Sequence, residues 1–311
     1  MGDIIKKTPY PIAGLMLACA TLGNLLAIYG SFFRYLFGAL AFCILALILI
    51  KVIVMPKSLV TAFENPVVAS VLPTFSMGLM VLSTYFTSFI LFANVMWFSA
   101  VLLHLILMAV FTFKYILNFD IKAVFPSYFV VYVGLVVGSI SAPAIGQQSI
   151  GQVIFWFGFL SYLVLLPFVL YRVIKIKAMQ PPALPTLVIL TAPASLCLAG
   201  YISSFPQPNN ALIYFLSGLA FVMFVAVAIK IPNLLKSEFY PSFSAFTFPF
   251  VITAVAFKNL SSINDFYGYM IFARFLEIWA TIMVIYVVIR YLMFLLSLEF
   301  PIAQTKKKQA N

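Results

Sequence analysis

The sequence predicts an all-α integral membrane protein with ten transmembrane helices, paired as five helical hairpins. Two features of the composition predict this class: 65% of the 311 residues are hydrophobic and only 8% are charged, whereas soluble domains carry about 25% charged residues. The third feature is segmentation, because the apolar residues form runs of about 20, the length of a membrane-crossing helix, without the alternation of a barrel strand. The loops are too short for a soluble domain, so we expect a single transmembrane domain over residues 1–311.

Basic residues sort the loops between these runs. The spans are predicted at about 11–30, 33–55, 70–92, 94–117, 124–144, 151–172, 185–205, 210–231, 241–260 and 270–297. All of the 18 Lys and Arg residues except Arg34, Lys258 and Arg274 fall in the terminal segments and the even-numbered loops. Because basic residues collect on the cytoplasmic side, both termini are predicted to be cytoplasmic in an inner or plasma membrane. The net charge of +11 has the same explanation, so it does not indicate nucleic-acid binding.

The odd-numbered spans share an opening signature. Each begins with a proline, and these prolines recur at intervals of 53–62 residues: Pro11, Pro73, Pro126, Pro185 and Pro241. A period of this length suits one helical hairpin per repeat. Proline in a first helical turn is also an ordinary helix start, so the signature alone leaves the repeat open.

The interiors of the odd spans carry residues that break helices. We predict pore-shaping breaks at Gly14, Gly78, Gly134, Pro193 and Pro249. The even spans are smoother and more apolar, apart from Pro167 in the sixth. Because a broken helix is tolerated at membrane depth only where it faces protein or water, the odd helices are predicted to form an inner ring around a pore. The even helices are predicted to form an outer ring that faces the lipid bilayer.

The ninth span, PSFSAFTFPFVITAVAFKNL, gives the most specific local signal. Pro249 interrupts its middle, directly after Phe248. On the helical period Ser244, Phe248, Ile252 and Val255 share one face, which we predict as pore lining with Phe248 as the gate. The alternative is that this face packs against a neighbouring helix, as most transmembrane phenylalanines do.

Two of these motifs carry a family likeness. Pro11-Ile12-Ala13-Gly14 and Ser244-Ala245-Phe246-Thr247-Phe248-Pro249 resemble the TehA tellurite-resistance and dicarboxylate-transporter family, which includes the plant slow-type anion channels. The resemblance covers about residues 9–298. It implies ten helices in quasi-five-fold symmetry around a pore occluded by Phe248, with one pore in each subunit of a homotrimer.

The predicted function is a gated channel or facilitator for small inorganic, monovalent anions. The alternative is a proton-coupled secondary carrier for dicarboxylates or tellurium oxyanions, since carriers also bind substrates on broken helices. A dianion would ordinarily recruit Arg or Lys in the lumen, and the odd spans lack them. A non-transporting scaffold or sensor is a third class, for which the sequence shows no signalling domain.

The remaining polar residues indicate structural roles. Arg274 and Glu277 are spaced for an ion pair on one helix face. His104 is the only histidine and has no Cys or carboxylate nearby in sequence, so it predicts packing and no metal site. The three cysteines, Cys19, Cys43 and Cys197, lie in apolar segments and predict no disulfide. No catalytic motif or paired-carboxylate constellation occurs, so we expect neither an enzyme nor a cofactor.

Overall fold

The computed structural model describes residues 2–298. Within this range the chain is helical and contains no β-strand. In the same range eight helices are long and apolar enough to cross a membrane: Tyr10–Tyr29, Ser31–Val54, Pro66–Ile116, Gln148–Ile176, Pro181–Ser204, Asn210–Ala228, Pro241–Ile263 and Tyr267–Leu295. The protein is therefore a helical integral membrane protein. The C-terminal lysines Lys306, Lys307 and Lys308, used above to place the C-terminus, lie outside the described residues.

Three of the ten predicted spans differ in form from the prediction. The third and fourth lie in the single 51-residue stretch Pro66–Ile116, which bends at Phe86, where φ is −110° and ψ is 24°. The fifth, predicted at 124–144, consists of short helices around Gly134 and has no long uninterrupted helix. In both places the chain departs from α-helical geometry, so eight long helices are found where ten were predicted.

The α-helices that matter below are labelled in chain order. They are α1 (Ala13–Leu26), α2 (Ser31–Val54), α3 (Thr74–Ser83), α4 (Ile90–Phe111), α5 (Tyr128–Tyr132), α6 (Val136–Ser141), α7 (Gln148–Tyr171), α8 (Ala192–Ser204), α9 (Asn210–Ala228), α10 (Phe248–Ile263) and α11 (Tyr267–Leu295). Short helices at Gly2–Lys7, Pro56–Ala62, Pro66–Val71 and Ile231–Leu234 lie between or before them.

Three of the odd-numbered spans are built in two halves. A 3₁₀ segment precedes the α-helix in each: Tyr10–Ile12 before α1, Pro181–Thr191 before α8, and Pro241–Phe246 before α10. Prolines lie at the first turns of these segments. Proline suits such a start because it lacks an N–H donor and fixes φ. In the seventh and ninth spans a further proline, Pro193 or Pro249, lies at the second residue of the α-helical half and interrupts a continuous α-helix.

Burial separates an inner from an outer set of helices. In Pro181–Ser204 and Pro241–Ile263, 83% of an 18-residue apolar stretch is buried within the protein. In Ser31–Val54 and Tyr267–Leu295, only 33% of the corresponding stretch is buried. The less buried helices expose large apolar side chains over most of their surface. In a membrane protein such side chains can face lipid, so the buried helices form the centre of the bundle.

The inner helices contact one another in a closed order. α1 packs against α3, α3 against α6, α6 against α8, α8 against α10, and α10 returns to α1. Each inner helix also packs against the outer helix that follows it in the chain, namely α2, α4, α7, α9 or α11. We use the term inner segments for residues 10–29, 66–83, 124–145, 181–204 and 241–263.

Small residues allow these close approaches. Val136 of α6 lies between two glycines: a Cβ on Gly158 would be 2.1 Å from Val136 Cγ2, and one on Gly200 would be 2.6 Å from Val136 Cγ1. Association of membrane helices relies on this kind of van der Waals contact, because lipid is as apolar as the side chains. Glycine at these positions therefore brings α6, α7 and α8 together.

Candidate functional site

A cavity of about 450 Å³ lies among the inner segments. Each segment contributes to its wall, with Gly14, Met77, Val133, Pro193 and Phe248 as one residue from each. The wall is formed mainly where the 3₁₀ and irregular halves of the segments join the α-helical halves. The cavity is therefore a product of the breaks in the helices, since an uninterrupted set of packed helices would fill this space.

Phe248 lies on the cavity wall at the start of α10. The preceding Thr247 has φ −109° and ψ −83°, outside the helical region, and Pro249 follows within the first turn. The ring is only 6% exposed. The break in the ninth span thus lies one residue before Phe248, whereas the sequence predicted it at Pro249, directly after Phe248.

The two neighbouring phenylalanines pack elsewhere. The ring centroid of Phe246 is 5.1 Å from that of Phe243. Phe250 contacts Phe224 and Trp279, with centroid distances of 6.2 and 5.9 Å. Of the three rings in the motif FTFPF, only that of Phe248 lines the cavity. The alternative that Phe248 packs against a neighbouring helix away from any cavity does not fit this arrangement.

The Thr247 hydroxyl, directly before Phe248, contacts both its own segment and α1. The Thr247 hydroxyl lies 2.6 Å from the carbonyl of Ser244 and 3.4 Å from that of Gly14. A Cβ on Gly14 would lie 3.2 Å from Ser244 Cβ, which is tighter than an ordinary contact. Glycine at position 14 therefore lets the first and ninth segments meet beside the cavity.

Four of the predicted break residues lie at breaks. Gly14, Pro193 and Pro249 are each the second residue of an α-helix, and all three line the cavity. Gly134 separates α5 from α6, and the Phe129 carbonyl accepts hydrogen bonds from both Val133 N (2.8 Å) and Gly134 N (3.0 Å).

The predicted helix break at Gly78 is wrong. α3 continues without interruption from Thr74 to Ser83, and its break lies earlier, after Val71. Gly78 serves close packing instead, because a Cβ there would lie 2.3 Å from Met16 Cε on α1. A glycine within an apolar span can mean either a bend or a close contact, and the sequence does not distinguish them.

The predicted lining face of the ninth span is divided at Phe248. Ser244 lines the cavity together with Phe248, but Ile252 and Val255 do not. Ile252 is buried and Val255 is half-buried, on the following turns of α10. If Ile252 and Val255 line the pathway, they do so outside this cavity, beyond the Phe248 ring.

Electrostatically, the cavity is apolar with a positive bias. Its wall includes the N-terminal turns of α1, α3, α8 and α10, the ends at which a helix dipole is partially positive. Lys122 and Arg172 are the charged lining residues in the described part of the chain. From the sequence, both belong to the basic loops, which either set the topology alone or also attract anions to an inner mouth. No local motif distinguishes these two residues from the other loop lysines and arginines.

The single histidine and the predicted ion pair lie away from this cavity. His104 is fully buried, and its Nδ1 and Nε2 lie 3.0 Å from Ser76 Oγ and from the Val131 carbonyl, as expected of a packing histidine. Arg274 Nη1 and Glu277 Oε2 are 3.7 Å apart. The sequence missed the closer partner, Lys258, whose Nζ lies 2.6 Å from Glu277 Oε1.

Comparison with known proteins gives one family. A search of curated proteins found no match. The family described as voltage-dependent anion channel matches residues 10–297, which include every inner segment and every helix from α1 to α11. The match extends well beyond half of the chain and agrees with the resemblance of its first and ninth spans. The chain belongs to the voltage-dependent anion channel family.

Proposed function

We propose that the protein is a gated channel that conducts small monovalent anions through a pathway within each subunit. The observation that supports this best is the cavity to which all five inner segments contribute and whose wall includes the Phe248 ring. A site lined by all five inner segments suits a pathway that runs between them. Membership of an anion channel family supports the anion as the transported species.

The charge pattern of the cavity supports a preference for anions. No acidic residue between positions 2 and 298 lines it, while Lys122 and Arg172 do. The N-terminal turns of four α-helices add partial positive charge without placing a fixed cation deep inside. Diffuse positive potential attracts an anion but does not hold it tightly, as conduction requires.

Phe248 is the proposed gate. An apolar ring in a narrow constriction excludes ions because it gives them no partner for the hydration water they lose. Its rotation about the side-chain torsions would open the pathway at a cost of about 0.5–1.5 kcal/mol for an off-rotamer position. The contacts of Thr247 with Ser244 and Gly14 fix the backbone, so that only the side chain has to move.

The wider architecture belongs to the same proposal. We propose ten spans in a quasi-five-fold arrangement, which the closed contact order of α1, α3, α6, α8 and α10 supports. In this arrangement the bend at Phe86 separates two spans, and α5 with α6 forms a broken fifth. A homotrimer in the inner or plasma membrane, with cytoplasmic termini, is proposed from the family resemblance and the loop charges.

The experiment that tests the gate is Phe248→Ala in planar-bilayer recordings with chloride and nitrate gradients. Removal of the ring takes away this barrier of about 0.5–1.5 kcal/mol, so anion conductance should rise by about two- to tenfold, since each 1.36 kcal/mol of barrier is tenfold in rate. Phe250→Ala is the matched control. It removes an equally buried ring from the same turn, at a cost of about 3–5 kcal/mol of stability, but that ring does not line the cavity.

Two results would contradict the proposal. Wild-type conductance in Phe248→Ala would remove the gate assignment, as would an equal rise in Phe250→Ala. Saturable, proton-dependent uptake without single-channel currents would replace the channel by a carrier.

A further inference from the structure

Arg172 is a buried cation beside the cavity. It directly follows α7, is 3% exposed, and belongs to the cavity wall. Its Nε donates to the Lys122 carbonyl and its Nη2 to the Ala178 carbonyl, both at 3.0 Å. Its third nitrogen, Nη1, is buried and has no acceptor within residues 2–298. The guanidinium is thus fixed in place while part of its donor capacity is unused.

The backbone around Arg172 is shaped to hold it. Residues Arg172–Ile176 form a π-turn, closed by a 3.1 Å hydrogen bond from Lys177 N to the Arg172 carbonyl. Lys177 then takes φ 61° and ψ −64°, and Ala178 N donates to the Ile176 carbonyl at 2.8 Å. This is the strained γ-turn with positive φ, which is rare for a residue with a side chain.

The consequence of this turn is the position of one carbonyl. By reversing the chain at Lys177, it presents the Ala178 oxygen to Arg172 Nη2. Backbone strain of about 1–3 kcal/mol persists only where the surroundings determine it, and it is concentrated at functional sites, as are π-turns. Both irregularities lie within six residues of Arg172, and the second is followed by the carbonyl that Arg172 Nη2 contacts.

Between residues 2 and 298 no acidic side chain neutralises this charge. Arg172 forms no salt bridge with the described residues. The acid closest to Lys122 in the chain, Asp120, accepts the Lys122 backbone N–H at 2.8 Å and does not line the cavity. The Lys122 side chain is exposed and lines the same cavity. The Phe125 ring centroid lies 5.7 Å from the guanidinium carbon and offers a cation–π contact but no countercharge. A bound anion would therefore offset the cost of burying this cation.

We propose that Arg172 and Lys122 form an anion-binding site at the mouth of the cavity, which a small monovalent anion occupies before it reaches Phe248. A guanidinium has five N–H donors in a planar fork, and two of them are engaged by carbonyls. The remaining donors suit a planar oxoanion such as nitrate, which accepts two parallel bonds, better than a spherical halide. This inference rests on the proposed function and adds a binding step to it.

The first test measures binding without any flux. Crystals of the full chain soaked in bromide should show an anomalous peak beside the Arg172 guanidinium, and nitrate added to the soak should remove it. Arg172→Gln should lose the peak, whereas Lys175→Gln should keep it. Lys175 provides a matched control because it lies on the same turn and removes the same charge, but it does not line the cavity. Absence of the peak in the wild type, or its persistence in Arg172→Gln, would overturn the inference.

The second test measures conduction in the Phe248→Ala background. Lys122→Gln should raise the anion concentration for half-maximal conductance by about three- to tenfold, as expected for loss of one charge-assisted partner. This variant retains both backbone bonds of Arg172, so it reports on the site even if Arg172→Gln folds poorly. An unchanged value, or an equal rise in Lys175→Gln, would contradict a localised site.

The two proposals fail in different ways. If Phe248→Ala conducts as the wild type does while bromide binds at Arg172, the gate proposal is rejected and the binding-site proposal is retained. If Phe248→Ala conducts strongly but no bromide is bound, the site falls and the channel remains.

Discussion

The buried carboxylate of Glu277 connects three parts of the chain. Its oxygens accept from Lys258 Nζ on α10 and from the Tyr29 hydroxyl after α1, both at 2.6 Å. Lys258 also donates to the Leu25 carbonyl at 2.9 Å. Arg274 is 3.7 Å away with a side chain that is 57% exposed, so it is the weaker partner. Glu277 therefore fixes α11 and α10 to the end of α1.

We predict that Glu277→Gln lowers the free energy of unfolding by about 2–3 kcal/mol. Breaking a buried pair costs about 3–5 kcal/mol because the other charge is left uncompensated, and the discount reflects the 27% exposure of the Lys258 side chain. Thermal unfolding of the purified protein in detergent measures the loss. Arg274→Gln is the control and should cost about 1 kcal/mol or less, as exposed pairs do. Equal losses of stability in Glu277→Gln and Arg274→Gln would contradict the assignment of Lys258 as the stronger partner of Glu277.

Of the residues Phe248, Lys258 and Arg172, the sequence singles out only the first. Phe248 could be identified because a proline directly after an aromatic residue in mid-span is a local signal. The role of Lys258 could not be identified, because its partner Glu277 is 19 residues away in the chain. The role of Arg172 could not be identified either, because its partners are backbone carbonyls. A carbonyl acceptor leaves no trace in the amino-acid sequence, so only coordinates assign such a partner.

At the scale of elements, glycine has two different uses in the inner segments. Gly134 interrupts a helix, and a Cβ there would lie 2.1 Å from the Val130 carbonyl oxygen and 2.7 Å from Met77 Sδ. Gly78 lies inside α3 and faces the end of a flexible side chain, Met16. The first obstacle is backbone and cannot move independently, whereas the second can rotate away.

We therefore predict that Gly134→Ala is the more damaging of two identical substitutions. Overpacking costs about 1–3 kcal/mol, and we expect Gly134→Ala at or above the top of this range and Gly78→Ala near the bottom. Unfolding temperatures of the two variants in the same detergent give the comparison. A larger loss in Gly78→Ala would mean that α1 and α3 are packed more rigidly than the Met16 contact indicates.

At the scale of the whole molecule, the three exceptions to the loop-charge pattern find partners in the structure. Arg34 Nη2 donates to the Thr84 carbonyl at 2.8 Å, and its guanidinium carbon lies 4.9 Å from the centroid of the Tyr85 ring. Lys258 and Arg274 both pair with Glu277. Arg34 and Lys258 join helices, and Arg274 pairs within α11. All three have structural partners, so they do not weaken the prediction of cytoplasmic termini from the remaining loop charges.

Cysteine accessibility tests this orientation. In a Cys43→Ala background, where the remaining Cys19 and Cys197 are buried, Gln207→Cys should react with an impermeant maleimide added to intact cells. Lys175→Cys should react only after permeabilisation, because the two exposed positions follow α8 and α7 at opposite ends of the bundle. The reverse pattern would place the termini and the Arg172 site on the outer side of the membrane.

The sequence by itself determined the membrane class, the apolar character of the helices and the family, and it predicted an interruption of the ninth span within one or two residues of where it lies. These properties follow from composition, segment length and proline chemistry, which are local to the chain. Only the tertiary structure decided which phenylalanine of the motif FTFPF faces the cavity, that Gly78 packs without bending its helix, and that Arg172 is held beside the cavity. Each of these depends on which distant segments meet, and packing in a bundle is set by surfaces that no single span contains.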